Sequence, residues 1–478
     1  MYEPAALPYS LRKLPDGQIL GISESGDHAF LTSDEVVHLE NAPAKLPIER
    51  QAELKARFFL TSSGKSIGTR RLLVSRKAAK RETVQVGPAL HAIVPTLLCE
   101  HSCRYCQVSR SLEEIGHTIS VSDLDAASDA VFESRAPTLT VEYQGGDPLL
   151  RFDLVRRSIE RIAAKNSTEK RSIRFVVAST LHQLTPEMCE FFRQHRVFLS
   201  TSIDGPSDLH NKNRPTPARD AYERTIAGIE LARSLLGAGS VSALMTTTKE
   251  SLRRPEEIVD EYVRLGFHDI FLRPLSAYGF AKRNQAVLGY QQAEFQQFYL
   301  KALERVIHWN RQGIPLREVY ASIILNKVLS TFDSGYVDLQ SPSGAGLSAL
   351  VYNYDGYVYP ADEARMLAET GDKSLRLGRI GASLKALLES ETQRQLVRAS
   401  LTDYTPGCRE CPYRLFCAPN PVDAKAQFGD MRAPVLMTEH CQRHMWLFDT
   451  FFMKIKAAEP WLLDVFYEWA APPECEAQ

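Results

Sequence analysis

The chain has 478 residues, of which 44% are hydrophobic and 24% charged, with a formal net charge of -1. That length supports two or three domains, and the near-zero charge gives no electrostatic case for nucleic acid or an anionic membrane as partner. The opening MYEPAALPYSLRKLPDG has no apolar core of a secretory signal, and no run approaches a membrane span. The expectation is a cytoplasmic protein, where thiols stay reduced and grouped cysteines point to metal rather than disulfides.

Residues 1–85 read as a small α+β module. Two strand-like runs carry turn signals at Asp16-Gly17 and Ser25-Gly26-Asp27, and a helix opens at Thr32-Ser33-Asp34 with Thr32 or Ser33 as its cap. The basic stretch GKSIGTRRLLVSRKAAKRET reads as a connector helix or a solvated face. From 86 to 285 short apolar runs alternate with amphipathic helical stretches. HAIVPTLL, TLTVEYQGG, SIRFVVAST, VFLSTSIDG, SVSALMTTT and HDIFLRPLS are the strands. Repeated strand–helix units imply a parallel α/β sheet, and six strands suffice for a partial (β/α)6 barrel of the TIM type. Ligands of such sheets bind at the carboxyl ends of the strands. Cys99, Gly145-Gly146-Asp147, Ser179-Thr180 and Ser202-Ile203-Asp204-Gly205 all fall there. Residues 286–339 read as a helical connector, 340–450 as a cysteine-bearing region with short strands, and 451–478 as a terminal helix and tail.

Seven of the nine cysteines form two groups. Cys189 sits in the helical pattern PEMCEFFRQH and reads as a small buried hydrophobe, and Cys475 as a bystander in a polar tail. The first group, Cys99, Cys103 and Cys106, is a CxxxCxxC loop after the first barrel strand. A cubane iron–sulfur cluster has four irons, so three cysteines leave one iron open. The competing reading is a zinc site completed by His101 or a distant residue. Tyr105, just before Cys106, is apolar enough to shield one flank. The second group is Cys408, Cys411, Cys417 and Cys441, four thiols able to close around a tetrahedral metal, as in a zinc ribbon.

The loop and the strands after it resemble the radical S-adenosylmethionine (SAM) enzymes, whose signature is CxxxCxφC after the first strand of a partial barrel. The resemblance implies a [4Fe-4S] cluster on Cys99, Cys103 and Cys106 with SAM chelating the open iron. YQGGDPLL is similar to the family's Gly-Gly-Glu motif, with Asp147 where Glu is usual, so the backbone at Gly145, Gly146 and Asp147 would receive the SAM ammonium group. STSIDGPSDLHNKNR resembles the segment whose serine binds the ribose and whose arginine pairs with the methionyl carboxylate, here Ser202 and Arg214. Ser179 and Tyr105 join the implied cofactor-binding set.

PGCRECPYRLFCAPN with EHCQRH resembles the C-terminal auxiliary-cluster (SPASM-like) domain of peptide-modifying radical enzymes. That pattern expects further cysteines where this chain has Gly344, Ala361 and Pro421. The four surviving thiols match an outer auxiliary [4Fe-4S] cluster, and the inner one is missing, so the resemblance implies two clusters. Asp362, Glu363 and Arg365 lie where the inner site would be, either as acid–base groups or as a surface ion-pair cluster.

The opening, the incomplete auxiliary domain and the length resemble the B-type maturase of the His-Xaa-Ser system. This implies a peptide or small protein substrate with His-Xaa-Ser units, a companion radical SAM maturase and an external electron donor. The N-terminal module resembles a winged helix that pairs a leader peptide to a sheet edge; a plain cap over the barrel is the other reading. Two rival functions stand beside it: a radical enzyme for a small metabolite, and a zinc-stabilised binding protein without radical chemistry.

Overall fold

The computed structural model describes residues 4–62, 67–276 and 278–471; Cys475 and the end of the expected tail lie outside them. Contacts divide the chain into two compact units, one of residues 86–320 and 345–397, the other of residues 1–85, 321–344 and 398–478. The expected 340–450 module therefore divides at about residue 397 between the two.

The first unit is built on a nine-stranded sheet. Its strands are β1 (Leu90–Thr96), β2 (Thr138–Gly145), β3 (Ser172–Ala178), β4 (Val197–Ser202), β5 (Val241–Thr246), β6 (Leu272–Arg273), β7 (Ala349–Tyr352), β8 (Tyr357–Tyr359) and β9 (Gly378–Arg379), in the order β6-β5-β4-β3-β2-β1-β7-β8-β9. Neighbours from β1 to β6 are parallel, as the strand–helix alternation implies, which gives the (β/α)6 partial barrel. The expected sixth strand divides. Asp269–Ile270 pairs with Arg317–Glu318, while Leu272–Arg273 pairs with β5, because Phe271 O accepts from Arg273 N and bends the chain between them. Three further strands extend the sheet: β7 runs parallel to β1, and β8 and β9 follow antiparallel.

Period-two burial along β2 explains its placement. Leu139, Val141 and Tyr143 are fully buried on one face, and Thr140, Glu142 and Gln144 fall on the other. The helix Phe152–Glu169 buries Leu154, Val155, Ser158, Ile159 and Ile162 on one stripe, and Ser158 Oγ accepts from Tyr143 Oη at 2.8 Å. Cys189 is fully buried on the helix Pro186–Gln194, as its apolar neighbours suggest.

The second unit begins with an antiparallel sheet of three strands, Tyr9–Lys13, Ile19–Ser23 and His28–Leu31, one more than expected. The helix Ser33–Asn41 follows, capped by Thr32 in a capping box with Glu35. Leu31, Leu39, Leu46, Leu54 and Phe59 form its core. The basic stretch forms the helix Ile67–Ala79, which buries none of its residues. The unit ends with the cysteine-bearing turns and the helices Glu439–Ala457 and Pro460–Ala470. Among the described residues no helix is long and apolar enough to cross a membrane.

Candidate active site

The loop after β1 carries the three thiols, and the backbone around it is pinned from several sides. Cys99 N donates to Ser111 O, Ser102 N to Pro215 O, Arg104 N to Asn213 O and Cys106 N to Cys103 O. Phe280 N donates to Cys106 O at 2.8 Å, and Asn284 Nδ2 to Arg104 O at 2.7 Å. Gly279 makes that clamp possible: its φ is +53°, and a Cβ there would lie 2.3 Å from Gln107 O.

All three thiols line one cavity of about 230 Å³ at the carboxyl end of the barrel, where parallel sheets place ligands. Gly145, Gly146, Ser179, Ser202, Arg214 and Tyr105 line it too, so all of the sequence-derived set except Asp147 meets at one cavity. Gly146 is required by close approach. A Cβ there would lie 2.1 Å from Leu98 O, so any side chain would push the cysteine loop away.

Asp147 has a different place. Its side chain is 2% exposed and lies behind the cavity wall. It accepts from Ser179 Oγ at 2.7 Å, from Thr180 N and Oγ1, and from Leu149 N at 3.1 Å. The carboxylate thus ties the end of β2 to the end of β3, and its own N–H donates to Leu98 O at 2.6 Å. Ser179 Oγ is engaged by the same network and accepts from Leu181 N.

The sequence reading gave Asp204 no role of its own. It is fully buried and accepts from Tyr105 Oη at 2.9 and 2.7 Å, from Arg214 Nε at 3.2 Å and from Thr246 N at 3.3 Å. Arg214 also lies 5.2 Å from the centre of the Tyr105 ring. Tyr105 itself packs on Ala281, Leu288 and Leu275. Among the described residues the terminal guanidinium nitrogens of Arg214 carry no hydrogen bond, and the residue lines the cavity. Burial opposes its charge and Asp204 restores it, with the pKa raised overall. An arginine so placed can take a carboxylate through its free edge.

Burial pushes the Cys99 thiol well above the ordinary range, with Asp147 adding to the effect. Cys103 is pushed up to about 12, again chiefly by burial, against the opposing charge of Arg214. These thiols are protonated when empty, and metal binding must displace the protons. His101 is 1% exposed, and its Nε2 faces the ring of His182 at 3.2 Å. Its Nδ1 is buried without a partner.

The far wall of the cavity holds Gln144, Thr246, Arg273, Asp362 and Met366. Asp362 Oδ1 accepts from Gln144 Nε2 at 3.1 Å and from Arg365 Nε at 2.9 Å. Arg365 is fully buried, so the Asp362–Arg365 pair is an interior feature and not a surface cluster. Burial raises the nearby Glu142 carboxyl to about 7, with Asp362 raising it further and Arg273 opposing.

In the second unit Cys408, Cys411, Cys417 and Cys441 line one small apolar cavity with Tyr413, Leu436, Met445 and Phe448. Tight turns present the first three: Cys411 N donates to Cys408 O at 3.0 Å, and Cys417 N to Tyr413 O at 3.0 Å. Cys441 stands in the first turn of its helix, its N–H capped by Thr438 Oγ1. Burial pushes Cys408 up to about 12 and Cys441 to about 11, and holds Cys417 well above the ordinary range. Behind them Asp449 accepts from Tyr413 Oη at 2.5 Å and from both Arg12 Nε, at 3.0 Å, and Arg12 Nη2, at 2.6 Å.

Among the described residues no three His, Cys, Asp or Glu side chains converge as ligands of one metal ion. Each cysteine of a cubane meets a different iron, so cluster ligands need not converge on one point. The residues of the first site fit a cluster with SAM: three thiols, glycine backbone and a guanidinium held through Nε alone share one cavity. The second group fits a cluster with no vacancy.

Residues 93–262 match the family model described as the Radical SAM superfamily. They are a radical SAM domain, whose cofactors are a [4Fe-4S] cluster and SAM. An uncharacterized protein of Methanothermobacter thermautotrophicus is 29% identical over 181 residues, 37% of this chain. A serine-type anaerobic sulfatase-maturating enzyme of Bacteroides thetaiotaomicron is 26% identical over 143 residues, 28% of this chain. The matches span 64% and 34% of those relatives' own lengths. Among solved structures, anSMEcpe with bound AdoMet and Cp18Cys peptide gives a TM-score of 0.64 at 16% identity, covering 80% of this chain and 99% of that one. Streptococcus suis SuiB bound to precursor peptide SuiA gives 0.55 at 15% identity, covering 92% and 100%. These likenesses bear on the fold.

Proposed function

We propose that this chain is a radical SAM enzyme that modifies a ribosomally made peptide or small protein, in a maturation system of the His-Xaa-Ser type. The observation that carries the radical reading is the single cavity shared by Cys99, Cys103, Cys106, Gly145, Gly146, Ser202 and Arg214. When bound, the cluster and SAM supply a 5′-deoxyadenosyl radical that takes a hydrogen atom from a substrate C–H bond. The chain's own residues bind and orient. Arg214 offers its free N–H edge to the methionyl carboxylate while Asp204 fixes its angle. The backbone at Gly145 and Gly146 meets the ammonium group, and the Ser202 hydroxyl meets the ribose. Asp362, steadied at Oδ1 by Gln144 and Arg365, holds Oδ2 ready to take a substrate proton.

The peptide part of the reading is supported by the two solved relatives above, each bound to a peptide. A companion radical SAM maturase and an external electron donor belong to the same proposal. So do a cytoplasmic setting and a role of the N-terminal module in recognising a leader. The four-cysteine site would hold one auxiliary [4Fe-4S] cluster through Cys408, Cys411, Cys417 and Cys441.

The test is anaerobic turnover with dithionite, reading 5′-deoxyadenosine and methionine, with and without a precursor peptide carrying His-Xaa-Ser units. Wild type should form both products and change the peptide mass, and Cys103→Ala should form neither. Asp362→Asn should keep SAM cleavage and lose peptide modification. Peptide modification unchanged in Asp362→Asn would remove that residue from the chemistry. SAM cleavage that no peptide alters would favour a small-metabolite substrate.

A further inference from the structure

Beside the four-cysteine site, within the same unit, is a second cavity of about 100 Å³. Cys417 lines it together with the cations Lys80, Lys327 and Arg414 and the carboxylates Glu24, Asp333 and Asp403. Two of these cations are unusual. Lys327 is 2% exposed, and its Nζ donates to Asp333 Oδ2 at 2.5 Å and to Leu339 O at 2.7 Å. Among the described residues Lys80 Nζ donates to two backbone carbonyls, Lys327 O at 3.1 Å and Ser330 O at 3.2 Å, and it lies 5.4 Å from the centre of the Phe416 ring. Burial and the Lys327 charge lower Lys80 to about 8, with Asp333 and Asp27 opposing.

Interior ammonium groups cost desolvation free energy unless something negative answers them. Asp333 answers Lys327, and Asp333 and Asp27 also favour the Lys80 charge, though among the described residues no carboxylate bonds Lys80. The group that the four thiols would hold adds a further negative charge beside the cavity that Cys417 shares with both lysines. A cluster with four thiolates is an anion, and reduction by one electron makes it more negative. Positive charge across a poorly screened interior therefore favours the reduced form.

We propose that Lys80 and Lys327 are positioning residues that raise the reduction potential of the iron–sulfur group held by Cys408, Cys411, Cys417 and Cys441. This rests on the reading of that site as iron–sulfur. The pair makes the second cluster the easier one to charge with a single electron from a one-electron donor. Packing alone predicts none of this, since an apolar side chain of similar length would fill the same space.

The experiment uses the full chain with Cys99, Cys103 and Cys106 changed to Ala, so that only the second site can hold iron. Its potential is read at pH 7 by dithionite titration followed by electron paramagnetic resonance. Lys80→Gln should shift the potential down, and Lys80→Arg should leave it near the parent value. Lys327→Met alone, which removes one positive charge, should also shift it down, and pairing it with Asp333→Asn, which removes a cation and an anion together, should move it less. Iron retained with an unmoved or raised potential in both Lys80→Gln and Lys327→Met overturns the inference alone. Zinc in place of iron in the parent overturns the reading beneath it and the inference together.

Discussion

The two cysteine sites share one support and differ in what it leaves open. In each, a tyrosine next to the cysteines donates to a buried carboxylate that also holds an arginine: Tyr105, Asp204 and Arg214 in one unit, Tyr413, Asp449 and Arg12 in the other. Arg12 meets Asp449 through two nitrogens and is spent on it. Arg214 meets Asp204 through Nε alone. The first site has three thiols and a cavity of about 230 Å³; the second has four thiols and one of about 20 Å³ with an almost wholly apolar lining. One scaffold is thus used once to present a vacancy and once to close it.

The largest effect that can break this comparison is Asp204→Ala. It strands Arg214 and Tyr105 in the interior, a change worth about 3–5 kcal/mol. The first site should lose its iron while the second keeps its own, as read by iron content and denaturant unfolding. The Glu142→Gln variant comes next. Glu142 is raised by burial from its ordinary 4.5 to about 7, so its contribution to stability is full below pH 4.5 and is lost as pH rises through 7. Across that window wild type should lose about 3 kcal/mol relative to Glu142→Gln, checked by unfolding at a series of pH values. Asp449→Asn is smaller, roughly 1.5–3 kcal/mol, because Arg12 is 29% exposed and water takes over part of the pair. It should leave SAM binding untouched. Arg214→Lys sharpens the contrast most finely: the fold stays, and SAM affinity falls about tenfold, or about 1.4 kcal/mol, by equilibrium binding.

What the sequence made legible follows from distance along the chain. The CxxxCxxC loop, the two glycines and Ser202 each stand at a strand end whose apolar run announces it. Five of the six expected barrel strands lie where the runs put them, and the Thr32 cap is where its motif puts it. Asp204 was visible only as part of a motif, because its role comes from Tyr105, 99 residues away. Gln144 and Asp362 are 218 residues apart, and no local pattern joins them. The same limit hid the extension of the sheet. Ala349–Tyr352 is buried throughout, and such a short apolar run does not say which edge it will join. Asp147 shows a further limit: its motif marks the end of β2, but only the hydrogen bonds from Ser179 and Thr180 show that the carboxylate ties β2 to β3.

The most direct test of an open cluster beside a closed one is the iron, sulfide and zinc content of anaerobically purified protein. Wild type should be compared with the Cys99/Cys103/Cys106→Ala triple variant. The account predicts about eight irons with matching sulfide, falling to about four in the variant. Iron that does not fall, or zinc with no iron in either protein, would contradict it.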